Sequence, residues 1–180
     1  TSFLSIPGAM DVGVEMHSMS KGFDMIGWRL GWLCGNDRIV RAFAETKDNF
    51  DSGQFLAIQK AAMVGLDDAE IPKRIRAKYK RRLEKLVATL QRCGFKCEMP
   101  GGTYFLYTPS PKGLADGATF ENAEACSQYL ITQQSICTVP WDDAGSFLRF
   151  SVTYEAADEA AEDALMAETE ARLKGIGPAF

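Results

Sequence analysis

The sequence is poor in the residues that would support metal or disulfide chemistry. Its 180 residues include a single histidine, His17, and an odd number of cysteines, five. Cys93 and Cys97 lie four positions apart, but no second close cysteine pair and no nearby histidine completes a zinc site. A chain of this length can build a core without disulfides. We therefore expect reduced thiols, a cytoplasmic location and no bound metal.

Long apolar runs and an excess of positive charge are also missing. No apolar segment approaches the roughly 18 residues that a membrane-spanning helix needs, and the first residues lack the pattern of a signal peptide. Acidic residues outnumber basic ones by 24 to 20, which gives a net charge of −4. These features argue against membrane and nucleic-acid partners. The chain starts without a methionine and runs almost at once into strand-like sequence, so we expect a fragment of a longer protein.

One segment does concentrate positive charge, the run PKRIRAKYKRRLEK at 72–85. Apolar residues recur in it at spacings of three and four, which predicts an amphipathic helix from Glu70 to Arg92, ended by Gly94, with its cations facing water. A solvated face is the more common meaning of such a run. An acidic partner or nucleic acid remains the alternative.

The remaining patterns predict two regions of different character. The first has strands at 12–16 and 28–34, a helix from Asn36 or Asp37 to Phe50, and a mostly apolar, buried helix capped by Asp51 or Ser52. The second alternates short strands with helices. Its strands are predicted at 95–100, 103–108, 136–139 and 146–152. Its helices are predicted from Thr119 or Glu121 to Gln134 and from Ala156 to Lys174. The expected fold class is α/β followed by a compact α+β unit.

The stretch HSMSKGFDMIGWRLG, residues 17–31, carries the clearest chemistry. A lysine amine such as that of Lys21 either forms a Schiff base with an aldehyde or pairs with an anion, and both roles are open. Ser18 and Ser20 offer hydroxyl donors, and Arg29 offers a planar guanidinium that suits phosphate. A phosphate-bearing aldehyde would use all of these groups, and pyridoxal phosphate is such a molecule.

This stretch resembles the signature S-x-S-K-x-x-x-x-x-G-x-R-x-G of class I/II aminotransferases, which are fold type I pyridoxal-phosphate enzymes. The resemblance continues in the family's order through DSGQFLAIQKAA, PGGTYF and LRFSVT, and it is closest to the aspartate-type and LL-diaminopimelate aminotransferases, hence to lysine biosynthesis. It implies that residues 1–69 form the C-terminal part of a cofactor-binding large domain. Residues 70–94 would be a connecting helix and 95–180 a small α+β domain.

The resemblance also implies a role for individual residues. Lys21 would form the Schiff base with pyridoxal 5′-phosphate and then move the substrate proton. Ser18 and Arg29 would bind the cofactor phosphate, with Ser20 a weaker candidate. Arg149, in LRFSVT, would bind the substrate carboxylate, although an arginine on an alternating strand is more often a surface or salt-bridged residue. Amino-acid and 2-oxo-acid substrates and a homodimer are the implied partners.

The family's other cofactor contacts precede the lysine, and only 20 residues precede Lys21 here. Asp11 stands too close to Lys21 to be the aspartate that binds the pyridine nitrogen. We therefore expect the C-terminal portion of an aminotransferase, inactive alone. A lyase or synthase of the same fold and a non-catalytic module using the basic helix 72–85 are the alternatives. His17 is expected in the core or in support of a neighbouring site residue, and Phe23, Trp28 and Trp32 are expected to pack rather than to stack on the cofactor.

Overall fold

A computed structural model describes residues 1–180 and divides them into two compact units, Thr1–Arg76 and Ala77–Phe180. The division falls within a helix that runs from Glu70 to Arg92. None of the helices combines the length and the apolar character that crossing a membrane requires.

The first unit contains a two-stranded antiparallel sheet. Strand β1 (Val14–Ser18) pairs with strand β2 (Gly31–Gly35), so that Val14 lies opposite Gly35 and Ser18 opposite Gly31. Both strands begin later than predicted. Residues Ala9–Val12 form a helical turn, α1, and Ile26–Trp28 form a 3-10 turn. These turns occupy the residues at which the predicted strands begin.

Gly31 is required by the close approach of the two strands. A Cβ atom on Gly31 would lie 2.5 Å from the carbonyl oxygen of His17, which is backbone and cannot swing away. The glycine thus permits the pairing at the end of the sheet. For Gly27, the structure shows no atom within 4 Å of an added Cβ and offers no packing reason for a glycine.

The helices that follow the sheet confirm one predicted cap and contradict another. Helix α3 (Asp37–Asp48) is capped by Asn36, whose Oδ1 accepts hydrogen bonds from the N–H groups of Arg38 and Ile39 at 3.1 and 3.2 Å. Helix α4 (Leu56–Asp67) begins after Phe55 and has no side-chain cap. The predicted cap Asp51 instead accepts bonds from Lys47 and from the N–H of Gly53, each at 2.7 Å.

The first unit leaves many apolar side chains uncovered. The prediction that α4 is buried on most sides is wrong, because only Ala62 and Gly65 of this helix are buried. A two-stranded sheet with short helices offers too little surface to cover the rest. The most exposed large apolar side chains of this unit are Phe50, Met16, Val12, Phe55, Val64, Met63 and Leu56.

The second unit is built on a three-stranded antiparallel sheet, with strand β5 (Phe147–Ser151) between β3 (Phe105–Pro109) and β4 (Val139–Trp141). Three helices accompany the sheet: the C-terminal part of α5 (Glu70–Arg92), then α6 (Ala123–Gln134) and α7 (Glu159–Leu173). The prediction of α5 is confirmed, and Gly94 follows it with a φ of 88° that suits glycine. The strand predicted at 95–100 is not formed, and that segment instead sends Phe95 and Cys97 into the core from irregular backbone.

The hydrophobic core of the chain lies in this second unit. Side chains from one face of α5 meet the inner face of the sheet and the apolar sides of α6 and α7. Along β5 the burial alternates, so that Leu148 and Phe150 face the core while Arg149 lies on the opposite face. The fully buried members include Leu83, Leu90, Leu106, Cys126, Leu130, Leu148, Val152 and Leu173.

The basic helix does not simply present its cations to water, as its period predicted. Arg82 is 4% exposed, and its Nε donates to Oε1 of Glu162 on α7 at 2.7 Å. Arg81 donates two further bonds to Glu162, at 2.9 and 3.0 Å, and Lys85 pairs with Asp163 at 2.5 Å. The bonds from Arg81, and then those from Arg82, outweigh burial and hold the pKa of Glu162 at about 2. The solvated-face prediction is therefore wrong at Arg82, because an acid far along the chain pairs with it.

Candidate functional site

Four of the predicted site residues lie at one end of the two-stranded sheet. Ser18 ends β1, and Ser20, Lys21 and Arg29 lie on the connection to β2. The connection is closed at its base by a hydrogen bond from the N–H of Met19 to the carbonyl of Leu30, at 3.0 Å, which continues the strand pairing. The two ends of the sequence signature are thus held together by the sheet.

The lysine side of this connection is a single helical turn, α2 (Met19–Gly22). Ser18 caps the turn, since its Oγ accepts a bond from the N–H of Ser20 at 3.1 Å. Met19 is fully buried and anchors the turn, whereas Lys21 is at an exposed position. Ser20 is buried and Ser18 is exposed, so the hydroxyl of Ser18 is the more accessible of the two.

The arginine side has an unusual backbone. Arg29 follows the 3-10 turn with a φ of 53°, in the left-handed region that favours glycine. Its Nη1 donates to the carbonyl of Ile26 at 2.9 Å, and the residue is exposed. That bond uses one of the five N–H groups of the guanidinium. The side chain is therefore oriented by its own turn and keeps donors for a ligand.

The fifth predicted residue, Arg149, lies in the second unit at the centre of β5. Its strand neighbours are Tyr107 on β3 and Val139 on β4. The guanidinium lies over the ring of Phe105, 4.2 Å from the centroid, and 5.9 Å from that of Trp141. Its Nε is buried and has no hydrogen-bond partner. A buried donor without a partner is uncommon in native proteins and is the kind of group that a bound anion satisfies.

The sequence did not indicate the aromatic setting of Arg149. Phe105, Tyr107 and Trp141 share the outer face of the sheet with it, and the rings of Tyr107 and Trp141 meet edge to face at 6.0 Å. The alternating pattern of TYFLYT could have indicated that Phe105 and Tyr107 share one face of a strand. Only the strand register shows that they surround Arg149.

Two expectations about the first unit are wrong. His17 is exposed and does not lie in the core; its Nε2 lies 2.9 Å from a carboxylate oxygen of Glu15, and its ring stacks on Trp32 with centroids 5.0 Å apart. Trp28 was expected to pack but remains 47% exposed. Both residues lie in a unit with too little covering structure to bury them.

Comparison with known proteins decides the family. Residues 6–164 match the model of the family described as aminotransferase class I and II. The chain belongs to this family. Among class I and II aminotransferases, it is 51% identical over 187 residues to the LL-diaminopimelate aminotransferase of Methanocaldococcus jannaschii, a match that covers 99% of this chain and 44% of the relative. The corresponding protein of Methanococcus maripaludis is 50% identical over 180 residues, with 97% of this chain and 43% of the relative covered.

Similar solved structures confirm the fold class. Substrate-bound BacF from Bacillus subtilis matches with a TM-score of 0.82 and 28% identity, over 98% of this chain and 44% of that one. The aspartate aminotransferase of Rhizobium meliloti has a TM-score of 0.79 at 22% identity, over 95% and 43%, and supports the fold alone. The chain has part of the fold type I architecture and spans less than half the length of the relatives that it matches.

Proposed function

We propose that this chain is part of a pyridoxal-phosphate-dependent aminotransferase that moves an amino group from an amino acid to a 2-oxo acid. The two relatives at 51% and 50% identity are both named LL-diaminopimelate aminotransferase, which supports diaminopimelate as the amino donor and a role in lysine biosynthesis. Aspartate is the next candidate donor.

The observation that carries the proposal is the connection between β1 and β2. It brings an exposed amine, an accessible hydroxyl and an exposed guanidinium, those of Lys21, Ser18 and Arg29, to one end of the sheet. These groups fit an aldehyde that carries a phosphate, because the amine can bond to the aldehyde carbon while hydroxyl and guanidinium donate to phosphate oxygens. Ser20 is a weaker phosphate contact because it is buried.

Pyridoxal phosphate, when bound, supplies an electron sink for the charge that develops at the substrate Cα. The tasks of the protein are then attachment, orientation and proton transfer. Lys21 would hold the aldehyde carbon and, once released, accept the substrate proton at Nζ. Arg29 and Ser18 would fix the phosphate and thereby the position of the ring.

Arg149 would bind the α-carboxylate of the substrate. Its buried Nε lacks a partner, and the ring of Phe105 supports the guanidinium plane, so the group is already oriented before an anion arrives. A bidentate guanidinium–carboxylate contact fixes the direction of an amino acid more firmly than a point charge would.

The organisation that we propose for the whole enzyme follows the family. Residues 1–69 would complete a large cofactor-binding domain, 70–94 would connect the domains, and 95–180 would form the small domain. The exposed apolar side chains of the first unit support further covering structure. We also propose a cytoplasmic homodimer, and that this chain cannot transaminate without the rest of the large domain. Robust turnover by the isolated chain with amino donor, 2-oxoglutarate and cofactor would contradict the last point.

Two alternatives differ in how well the structure supports them. A lyase or synthase would use the same lysine and phosphate contacts, and measuring which products accumulate from substrate and cofactor would distinguish it. A non-catalytic module would use the basic helix 72–85. Arg81, Arg82 and Lys85 are paired with acids of α7, which reduces the positive charge that such a role would use.

Reductive trapping tests the proposed cofactor site. The chain is mixed with pyridoxal phosphate, reduced with borohydride and digested, and the label on each lysine peptide is measured by mass spectrometry. We expect label on Lys21 in preference to Lys60, an exposed lysine of α4 in the same unit. The preference should fall when pyridoxal without phosphate is used and in Arg29→Ala.

The matched control is Lys60→Ala, which should leave labelling of Lys21 unchanged, while Lys21→Ala removes the preferred label. Equal labelling of the two lysines by both aldehydes would mean that the connection has no phosphate-dependent aldehyde site. The proposal would then fail at its central observation.

A further inference from the structure

Three potential metal ligands lie on one face of the two-stranded sheet. Glu15 on β1 is directly opposite Cys34 on β2, and His17 follows Glu15 by two positions, so its side chain leaves the same face. The donor atoms of Glu15, His17 and Cys34 all lie within 4.8 Å of one another. The strand pairing thus brings together residues that are far apart in the sequence.

Two of the three side chains are held in place by neighbours. Oε1 of Glu15 accepts hydrogen bonds from the hydroxyl of Ser2 at 2.7 Å and from the N–H of Leu4 at 3.3 Å, while Oε2 lies 2.9 Å from Nε2 of His17. The His17 ring stacks on Trp32 with an angle of 11° between the planes. Contacts from residues that are not themselves ligands, as Ser2 and Leu4 make here, orient ligands in known metal sites, whereas the Glu15–His17 contact joins two of the proposed ligands.

The cluster is also partly open to solvent in this chain. The side chain of Glu15 is 16% exposed and that of His17 is 41% exposed. An ion can therefore reach the cluster from solvent.

We propose that Glu15, His17 and Cys34 form a binding site for a divalent transition-metal ion of the zinc type, with water as the fourth ligand. A thiolate, an imidazole and a carboxylate are the groups that zinc takes in proteins. In a tetrahedral zinc site neighbouring donor atoms are about 3.4–3.6 Å apart. To bind such an ion, Oε2 of Glu15 and Nε2 of His17 must move slightly apart from 2.9 Å. The most distant pair of donor atoms, at most 4.8 Å apart, must move closer. Rotation of the side chains can produce movements of this size. Binding releases the thiol proton of Cys34 to solvent and leaves the imidazole neutral.

The site is separate from the proposed cofactor contacts and does not depend on the proposed function. Its ligands lie along the paired strands, whereas Ser18, Lys21 and Arg29 lie at the end of the sheet and on the connection. A bound ion would join β1 to β2 through side chains in addition to their backbone hydrogen bonds. It would therefore stabilise the sheet that carries the connection.

Cobalt substitution tests the site directly. Co²⁺ is titrated into the full chain, kept reduced and freed of metal, and the absorption spectrum is followed. We expect saturation at one equivalent, with the visible bands of tetrahedral cobalt and a sulfur-to-cobalt charge-transfer band, and we expect Zn²⁺ to displace both. Cys34→Ser should remove the charge-transfer band. Cys137→Ser, which alters an exposed cysteine of the second unit, should leave the spectrum unchanged.

A second variant, Glu15→Gln, tests the site independently in case Cys34→Ser fails to fold. Glu15→Gln keeps an oxygen that can accept the bonds from Ser2 and Leu4, and its circular dichroism should match that of the unaltered chain. We expect its Zn²⁺ affinity to fall by at least the roughly tenfold that losing an outer-shell partner of a ligand costs, because Glu15 is itself a ligand in the proposal. The proposal is overturned if the unaltered chain gives no charge-transfer band, if the band survives in Cys34→Ser, or if a folded Glu15→Gln binds Zn²⁺ with unchanged affinity.

Discussion

Replacing Glu162 by glutamine should remove a large part of the stability of the second unit. The side chain of Glu162 is 3% exposed, and its carboxylate accepts hydrogen bonds from Arg81 and from Arg82. The side chain of Arg82 is 5% exposed. Glutamine keeps the size of the side chain but not its charge. Arg82 would then be left in the interior with only the carbonyl oxygens of Val152 and Tyr154 as acceptors.

Two arguments give a similar size for the loss of unfolding free energy in Glu162→Gln. Lowering the pKa of Glu162 from 4.5 to about 2 on folding corresponds to about 3 kcal/mol of stability at pH 7. Breaking a buried ion pair by removing one partner typically costs about 3–5 kcal/mol. Because the carbonyl contacts of Arg82 remain, we expect a loss near the lower figure. A loss of this size should lower the melting temperature of the unit by more than about 10 °C.

Urea denaturation at a series of pH values provides the assay. The folded pKa of Glu162 is depressed, so its contribution is fully present above pH 4.5 and is lost as the pH falls through about 2. The difference in unfolding free energy between the unaltered chain and Glu162→Gln should therefore shrink over that range. Glu168→Gln, on the same helix and in an exposed pair with Arg172, should cost less than about 1 kcal/mol. A difference that is small at pH 7, or that does not change with pH, would refute the reasoning.

Two further predictions concern backbone approach and thiol reactivity. Gly31→Ala should destabilise the first unit by about 1–3 kcal/mol in thermal melting, because the new methyl group would meet the carbonyl of His17, whereas Gly27→Ala should have little effect. With an aromatic disulfide reagent, the exposed thiol of Cys137 should react rapidly. Cys126 should react only after unfolding, because burial shields its thiol and raises the pKa of that thiol. A fast phase that is unchanged in Cys137→Ser would contradict this prediction.

The sequence was most informative where a short-range pattern decides the structure. The 3.6-residue period of Glu70–Arg92 predicted α5, and Asn36 predicted the cap of α3, because both depend on neighbours within a few residues. The signature around Lys21 likewise has its residues on one connection and at the strand ends that flank it. The association of these residues is local in sequence, so it could be anticipated.

The sequence was least informative where distant segments meet. Arg82 follows the period of a solvated face, yet Glu162, 80 positions away, pairs with it in the interior. Helix α4 is apolar and was expected to be buried, but burial depends on covering layers that the first unit does not contain. The aromatic surroundings of Arg149 and the proximity of His17 to Cys34 both depend on strand register, which the residue pattern alone does not specify.

The left-handed backbone at Arg29 separates two demands on that position. A non-glycine residue there carries a conformational cost of roughly 1–2 kcal/mol that glycine would avoid. Arg29→Gly would relax the backbone while deleting the guanidinium, whereas Arg29→Ala would delete the guanidinium and keep the cost. Comparing the two variants separates the contribution of charge from that of conformation. Residue 29 is thus a position where folding alone would favour glycine, and where a phosphate contact of the kind proposed above would favour arginine.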